Sequence, residues 1–223
     1  MKSITHYLEY LFLRAAESFI TFIPRTLALR IGGFIGICLY HLGVYRSIVA
    51  KNMEFLALWP ADEQKRITRR LYRTIGRYGA DFLRSSSKLP PFTVHNEEVA
   101  REILARGKGI IALLAHFGNW EFLAVVFGRR IPDLNVIAKR MNNPYVDRWL
   151  ARKRKKTGVE TIYMSHALTR SVRALKRNGM LAVLIDQYAR FEGNPVPFLG
   201  KKANTYRAVA GLVRMTGCAV MPT

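Results

Sequence analysis

Gly109-Ile110-Ile111-Ala112-Leu113-Leu114-Ala115-His116-Phe117-Gly118-Asn119-Trp120-Glu121 is an unbroken apolar run leading into a histidine, a glycine and a polar helix start. Residues 109–115 show no alternation of polar and apolar side chains. That is how a strand reads when both of its faces are covered, because neither side then meets water. Strands of this kind belong to sheets with helices on both sides. Residues 119–127 read as a helix, with Asn119 placed to cap it. Strand, short turn and helix in immediate succession predict an α/β domain.

The alternation continues outward from this stretch. Upstream, residues 96–106 read as a helix closed by Gly107. Downstream, the pattern predicts a strand at 134–138 and a helix at 144–156, with Val146, Trp149 and Leu150 inward and a basic outer face. A strand at 160–164, a helix at 166–177 ending at Gly179 and a second buried strand at 180–186 follow. A long loop, a helix near 205–215 and a strand at 219–221 close the chain. The expected architecture is a mixed or mostly parallel sheet flanked by helices, over residues 46–223.

Residues 1–45 have another character. Residues 7–23 are apolar, interrupted by Arg14 and Glu17, and 26–45 are richer still. Arg30 and His41 bracket a clean stretch shorter than the roughly 20 residues a spanning helix needs. The charged start and small-residue cleavage site of a secretory signal are missing. Two readings stand: a membrane-associating helical segment, tilted or interfacial, or a helix pair packed on the following domain. We take the first as the expectation. From Asp62, with Glu63 and Gln64 suited to a first helical turn, Ile67, Leu71, Ile75, Tyr78 and Phe82 recur at helical spacing. Arg66, Arg70, Arg73 and Arg77 recur on another face, as a solvated surface or a contact for anionic head groups.

The charge balance points to anionic partners: 36 Lys and Arg stand against 15 Asp and Glu, a formal net charge of +21. Nucleic acid, an anionic membrane surface and an acidic substrate or carrier protein all fit that sign. Nucleic-acid binding would need exposed aromatics among the basic residues or a reading helix. Residues 66–77 supply only charge, so no nucleic acid is expected. Cys38 and Cys218, far apart and in apolar runs, read as small hydrophobes rather than a metal or disulfide pair.

Chemistry concentrates at the strand ends, where open α/β sheets bind ligands. Four residues separate His116 from Glu121, enough turn for a carboxylate to return to an imidazole, fix its tautomer and let it take a proton from a hydroxyl. A buried, hydrogen-bonded structural histidine fits the spacing equally well. The chain has no Gly-x-Ser-x-Gly elbow, and neither cysteine is near, so a base without a protein nucleophile suggests direct attack by a substrate hydroxyl.

Several ordered motifs add to this. Ala115 to Glu121, Lys139-Arg140 ahead of Asn143-Pro144, Leu184-Ile185-Asp186-Gln187, and Pro195 to Lys201 followed by Thr205 occur in one order. With Tyr45-Arg46 and Lys51-Asn52 leading, the chain from about Tyr45 onward resembles the lipid A late acyltransferases, the lauroyl and myristoyl transferases of Gram-negative bacteria. The resemblance implies an α/β domain behind an N-terminal membrane segment at the cytoplasmic face of the inner membrane. It implies acyl transfer from acyl carrier protein, or coenzyme A, to a hydroxyl of a lipid A precursor or related glycolipid, with no metal and no cofactor. On this likeness His116 is the general base and Glu121 its carboxylate partner. Asn119 caps its helix or donates toward the reacting carbonyl. Arg140 binds a substrate phosphate or makes an ordinary surface salt bridge. Asp186 and Gln187 contact substrate, or Asp186 merely caps its loop. Family members continue past the position matching Thr223, so a C-terminally truncated chain is expected. The glycerolipid acyltransferases, which share the H-x4-acid core, are the alternative. Their Glu-Gly-Thr-Arg loop is replaced here by Asp186-Gln187-Tyr188.

Overall fold

The computed structural model describes residues 2–85, 89–189 and 193–223. The chain divides into two compact units. One comprises residues up to Tyr10, Pro90–Phe198 and Lys202–Thr223; the other comprises Leu11–Leu89 with Leu199–Lys201. Helix α1 (Lys2–Phe22) contributes to both, so its first turns group with the α/β unit rather than with the rest of the N-terminal segment.

Within the α/β unit, β1 (Ile110–Leu114), β2 (Leu134–Ala138), β3 (Val159–Tyr163), β4 (Met180–Leu184) and β7 (Ala219–Pro222) form a five-stranded sheet in the order β3-β2-β4-β1-β7. All four neighbouring pairs are parallel. Between strands run α6 (Trp120–Arg130), α7 (Pro144–Lys155) and α8 (Ala167–Lys176), with α5 (Glu97–Ala105) before β1 and α9 (Ala208–Thr216) before β7. The order explains the position of the site. The chain leaves β1 for β2, beyond β4, and leaves β4 for β7, beyond β1. Adjacent strands whose connections depart in opposite directions open a crevice at their carboxyl ends.

The apolar runs are buried on both faces, as their lack of alternation requires. Ile110, Ala112, Met180 and Ala182 join one core cluster with Ile131, Leu134 and Val159; Ile111 and Leu181 join the other with Ala174, Leu175 and Leu212. The expected long loop after β4 instead carries a hairpin, β5 (Gly193–Phe198) and β6 (Lys201–Tyr206). Residues 190–192 of that loop lie outside the described residues. The hairpin takes up Thr205 and Tyr206, so the last helix starts at Ala208. Its turn places both Leu199 (φ 47°) and Gly200 (φ 74°) at positive φ, the geometry of a tight hairpin that normally selects Asn-Gly.

The second unit contains α2 (Arg25–His41), α3 (Arg46–Leu56) and α4 (Ala61–Arg84). Glycines bring α2 and α4 to backbone contact. A Cβ on Gly76 would lie 2.0 Å from the Gly32 carbonyl oxygen, and one on Gly36 would lie 2.1 Å from that of Tyr72. The packed face of α4 is therefore small, and Leu71 and Ile75 of the apolar stripe remain exposed. Arg25 grips Asp81 with two hydrogen bonds of 2.8 Å. Buried Arg84 donates to the carbonyls of Ile20 and Ile23, satisfying acceptors at the end of α1. Among the described residues no single helix is long and apolar enough to cross a membrane; α2 and α3 together meet that length, but with a bend of 83°.

One helix gives a paired test of the glycine packing. Gly79, also in α4, has nothing within 4 Å of an added Cβ. Gly79→Ala should raise stability by up to about 1 kcal/mol through helix propensity. Gly76→Ala gains the same propensity but forces the backbones apart, and overpacking of this kind costs about 1–3 kcal/mol. Thermal melts of the two variants should shift in opposite directions.

Candidate active site

The turn after β1 carries His116 to the carboxyl edge of the sheet, where Gly118 takes a positive φ of 65° that lets the chain enter α6 at once. Asn119 caps that helix, its side-chain oxygen accepting from the Phe122 amide at 3.2 Å. This is the capping role weighed from sequence.

The carboxylate that meets the imidazole comes from β4, across the crevice. Asp186 Oδ1 lies 2.8 Å from His116 Nδ1, and Asp186 Oδ2 accepts the His116 backbone N–H at 2.8 Å. Burial would raise the Asp186 pKa, but the hydrogen bonds from the His116 ring and backbone outweigh it, and the group is held below its ordinary value. An ionised carboxylate only accepts. Nδ1 therefore carries the ring proton, and Nε2 presents its lone pair. The Gln187 side-chain nitrogen stands 3.4 Å from Nε2, and the Trp120 ring meets the imidazole edge-on, with centroids 5.0 Å apart. The exposed rings of Phe117 and Tyr188 flank these residues in sequence.

Glu121 does not reach His116. It is paired with Arg154 of α7, at 2.5 Å from Nη2 and 3.3 Å from Nε. The physical reason is direction: Glu121 lies in the first turn of α6 beside α7, and a guanidinium fork matches both carboxylate oxygens. The expected return of Glu121 to the imidazole is corrected to this ion pair. The expected basic outer face of α7 holds, narrowed by two residues. Arg154 points inward and Lys153 is buried, near the Trp149 ring, while Arg148, Arg152, Lys155 and Lys156 stay exposed.

Arg140, beyond β2, occupies the same edge of the parallel sheet but has its own partners. Its guanidinium lies 4.0 Å from the centre of the Tyr163 ring and 3.6 Å from Asp147, with two thirds of the side chain exposed. Buried Asp147 also accepts from the Tyr163 hydroxyl at 2.8 Å and the Met141 amide at 3.0 Å. Burial, reinforced by the bond to Asp147, raises the Tyr163 pKa. Asp147, Arg154, Tyr163 and Lys139 line a cavity of about 60 Å³, far below the roughly 300 Å³ at which ligand pockets begin. Sequence reasoning overlooked Asp147, Arg154 and Tyr163 as site residues. The available signal was spacing: Asp147, Leu150, Ala151 and Arg154 fall on one face of α7, which puts two charges among inward residues.

The Asp186 pairing has a definite pH consequence. Its folded pKa is depressed, so the stabilisation exists above the unfolded value and is lost as pH falls through the folded one. A carbon-13 titration of the Asp186 carboxyl should show a midpoint below the ordinary carboxylate range, and His116→Ala should move it upward. An unmoved midpoint would contradict the pairing.

No curated relative is significantly similar to the chain. The family model described as bacterial lipid A biosynthesis acyltransferase matches residues 2–223. With the histidine centre at the crevice of a parallel sheet, that match assigns the chain to the bacterial lipid A biosynthesis acyltransferase family.

Proposed function

We propose that the protein moves a fatty acyl chain from a thioester, on acyl carrier protein or coenzyme A, to a hydroxyl of a lipid A precursor or related glycolipid. The observation that carries this reading is the His116 ring, held by Asp186 at Nδ1, which leaves Nε2, beside the Gln187 side-chain nitrogen, to act as a base. The acceptor oxygen attacks the thioester carbonyl while its proton passes to Nε2. The tetrahedral intermediate then collapses, the C–S bond breaks, and the sulfur leaves as a thiol with the proton from Nε2. Glu121, locked to Arg154, is the second carboxylate of the centre and ties the start of α6 to α7.

The remaining residues support the substrate classes. Arg140, exposed and braced on Tyr163, suits a phosphate of either substrate. Exposed Arg148, Arg152, Lys155 and Lys156 suit an acidic carrier, whose encounter they would steer. In the helical unit, exposed Phe12, Phe22, Phe34, Leu42, Leu71 and Ile75 accompany Arg70, Arg73 and Arg77. Apolar and basic side chains together suit an anionic membrane surface, in keeping with the cytoplasmic face of a bacterial inner membrane.

The decisive assay pairs labelled acyl-carrier and acyl-coenzyme A donors with glycolipid and lysophospholipid acceptors. Acyl transfer to a glycolipid hydroxyl is expected, and His116→Ala should lower turnover by roughly 10² to 10⁴. A folded His116→Ala variant with wild-type turnover would refute the base. Transfer to lysophospholipid alone would refute the acceptor.

A further inference from the structure

We infer that Asp186, rather than Glu121, is the residue that positions the His116 imidazole. The two carboxylates occupy different environments. Asp186 touches the histidine twice, through Nδ1 and the backbone N–H, each at 2.8 Å. Its grip therefore fixes the ring and the chain segment that bears it. Glu121 spends its charge on Arg154, in a fork with side chains one quarter and one tenth exposed. A paired carboxylate projects little field onto a neighbouring ring, because the guanidinium cancels it at a distance. Among the described residues, Gln187 and Trp120 also face the ring, and both are uncharged. Among the described residues, Asp186 is thus the charged group that fixes which nitrogen bears the proton and stabilises the imidazolium when Nε2 takes a second one.

This deepens the acyltransferase reading and rests on it only where activity is measured. The structural half concerns the tautomer and has its own readout. Replacing Asp186 by Asn keeps size and shape, and its oxygen can still accept the His116 backbone N–H. Its amide nitrogen, however, donates toward Nδ1, which then must be the unprotonated nitrogen. The ring proton moves to Nε2, and a protonated Nε2 cannot accept from a hydroxyl.

The test is nitrogen-15 spectroscopy of the histidine ring in the full chain in detergent micelles, at a pH where the ring is neutral, together with turnover. The wild type and Glu121→Gln should both carry the proton on Nδ1, and Asp186→Asn should carry it on Nε2. Turnover of Asp186→Asn should fall roughly 10² to 10⁴-fold with little change in KM, and Asp186→Glu should recover part of it. A purely structural role for Asp186 would leave the tautomer of a folded Asp186→Asn protein unchanged, and that result overturns the inference. So does a switched tautomer in Glu121→Gln. If the tautomers behave as expected while His116→Ala retains full activity, the positioning stands and the acyl-transfer role of the base fails.

Discussion

The structure depends on the parallel pairing of β1 with β4. Ile110 to Leu114 lie opposite Met180 to Leu184 in register, and the Ile185 amide extends the ladder to the Leu114 carbonyl at 3.2 Å. That register delivers His116 and Asp186 to the same level of the sheet edge, two residues beyond each strand. It also sorts Ile110 and Met180 to one core and Ile111 and Leu181 to the other. A slip of one residue would exchange the two faces of a strand. The apolar packing that stabilises the sheet is thus the same constraint that assembles the site.

Chain order supplies the rest of the geometry. Because β1 and β4 send their connections in opposite directions, a crevice opens at their carboxyl ends. His116 stands at that edge, with the Gln187 side-chain nitrogen 3.4 Å from its Nε2. Around this centre, α7 acts as a brace: Arg154 holds Glu121, and Asp147 gathers Tyr163, the Met141 amide and Arg140. Asn143, which caps α7, also donates to the His6 carbonyl and to Glu9, and Tyr7 and Tyr10 pack near Tyr145. The first turns of α1 therefore belong to the frame of the α/β unit.

The buried strands and the helices between them were legible because burial on two faces forces a continuous apolar run, and the runs at 110–114 and 180–184 have no competing pattern. Asn119 was legible as a cap for a local reason: its partner, the Phe122 amide, is three residues away. The carboxylate partner of His116 was not. Local spacing favours Glu121, whereas the actual partner is 70 residues distant and is selected by strand order, which no local pattern records. The hairpin at 193–206 was hidden because its turn uses Leu199-Gly200, and leucine is a rare residue at positive φ. The basic face of α7 was legible in Arg148, Arg152, Lys155 and Lys156, but composition does not say that Lys153 and Arg154 turn inward.

The central claim is that His116 and Asp186 act as one unit across the β1–β4 crevice. A double-mutant cycle on acyl-transfer kcat/KM, with His116→Ala, Asp186→Asn and the double variant, tests it most directly. Residues that act through one another are strongly non-additive. The account predicts a double variant no slower than His116→Ala alone; losses that multiply would contradict it.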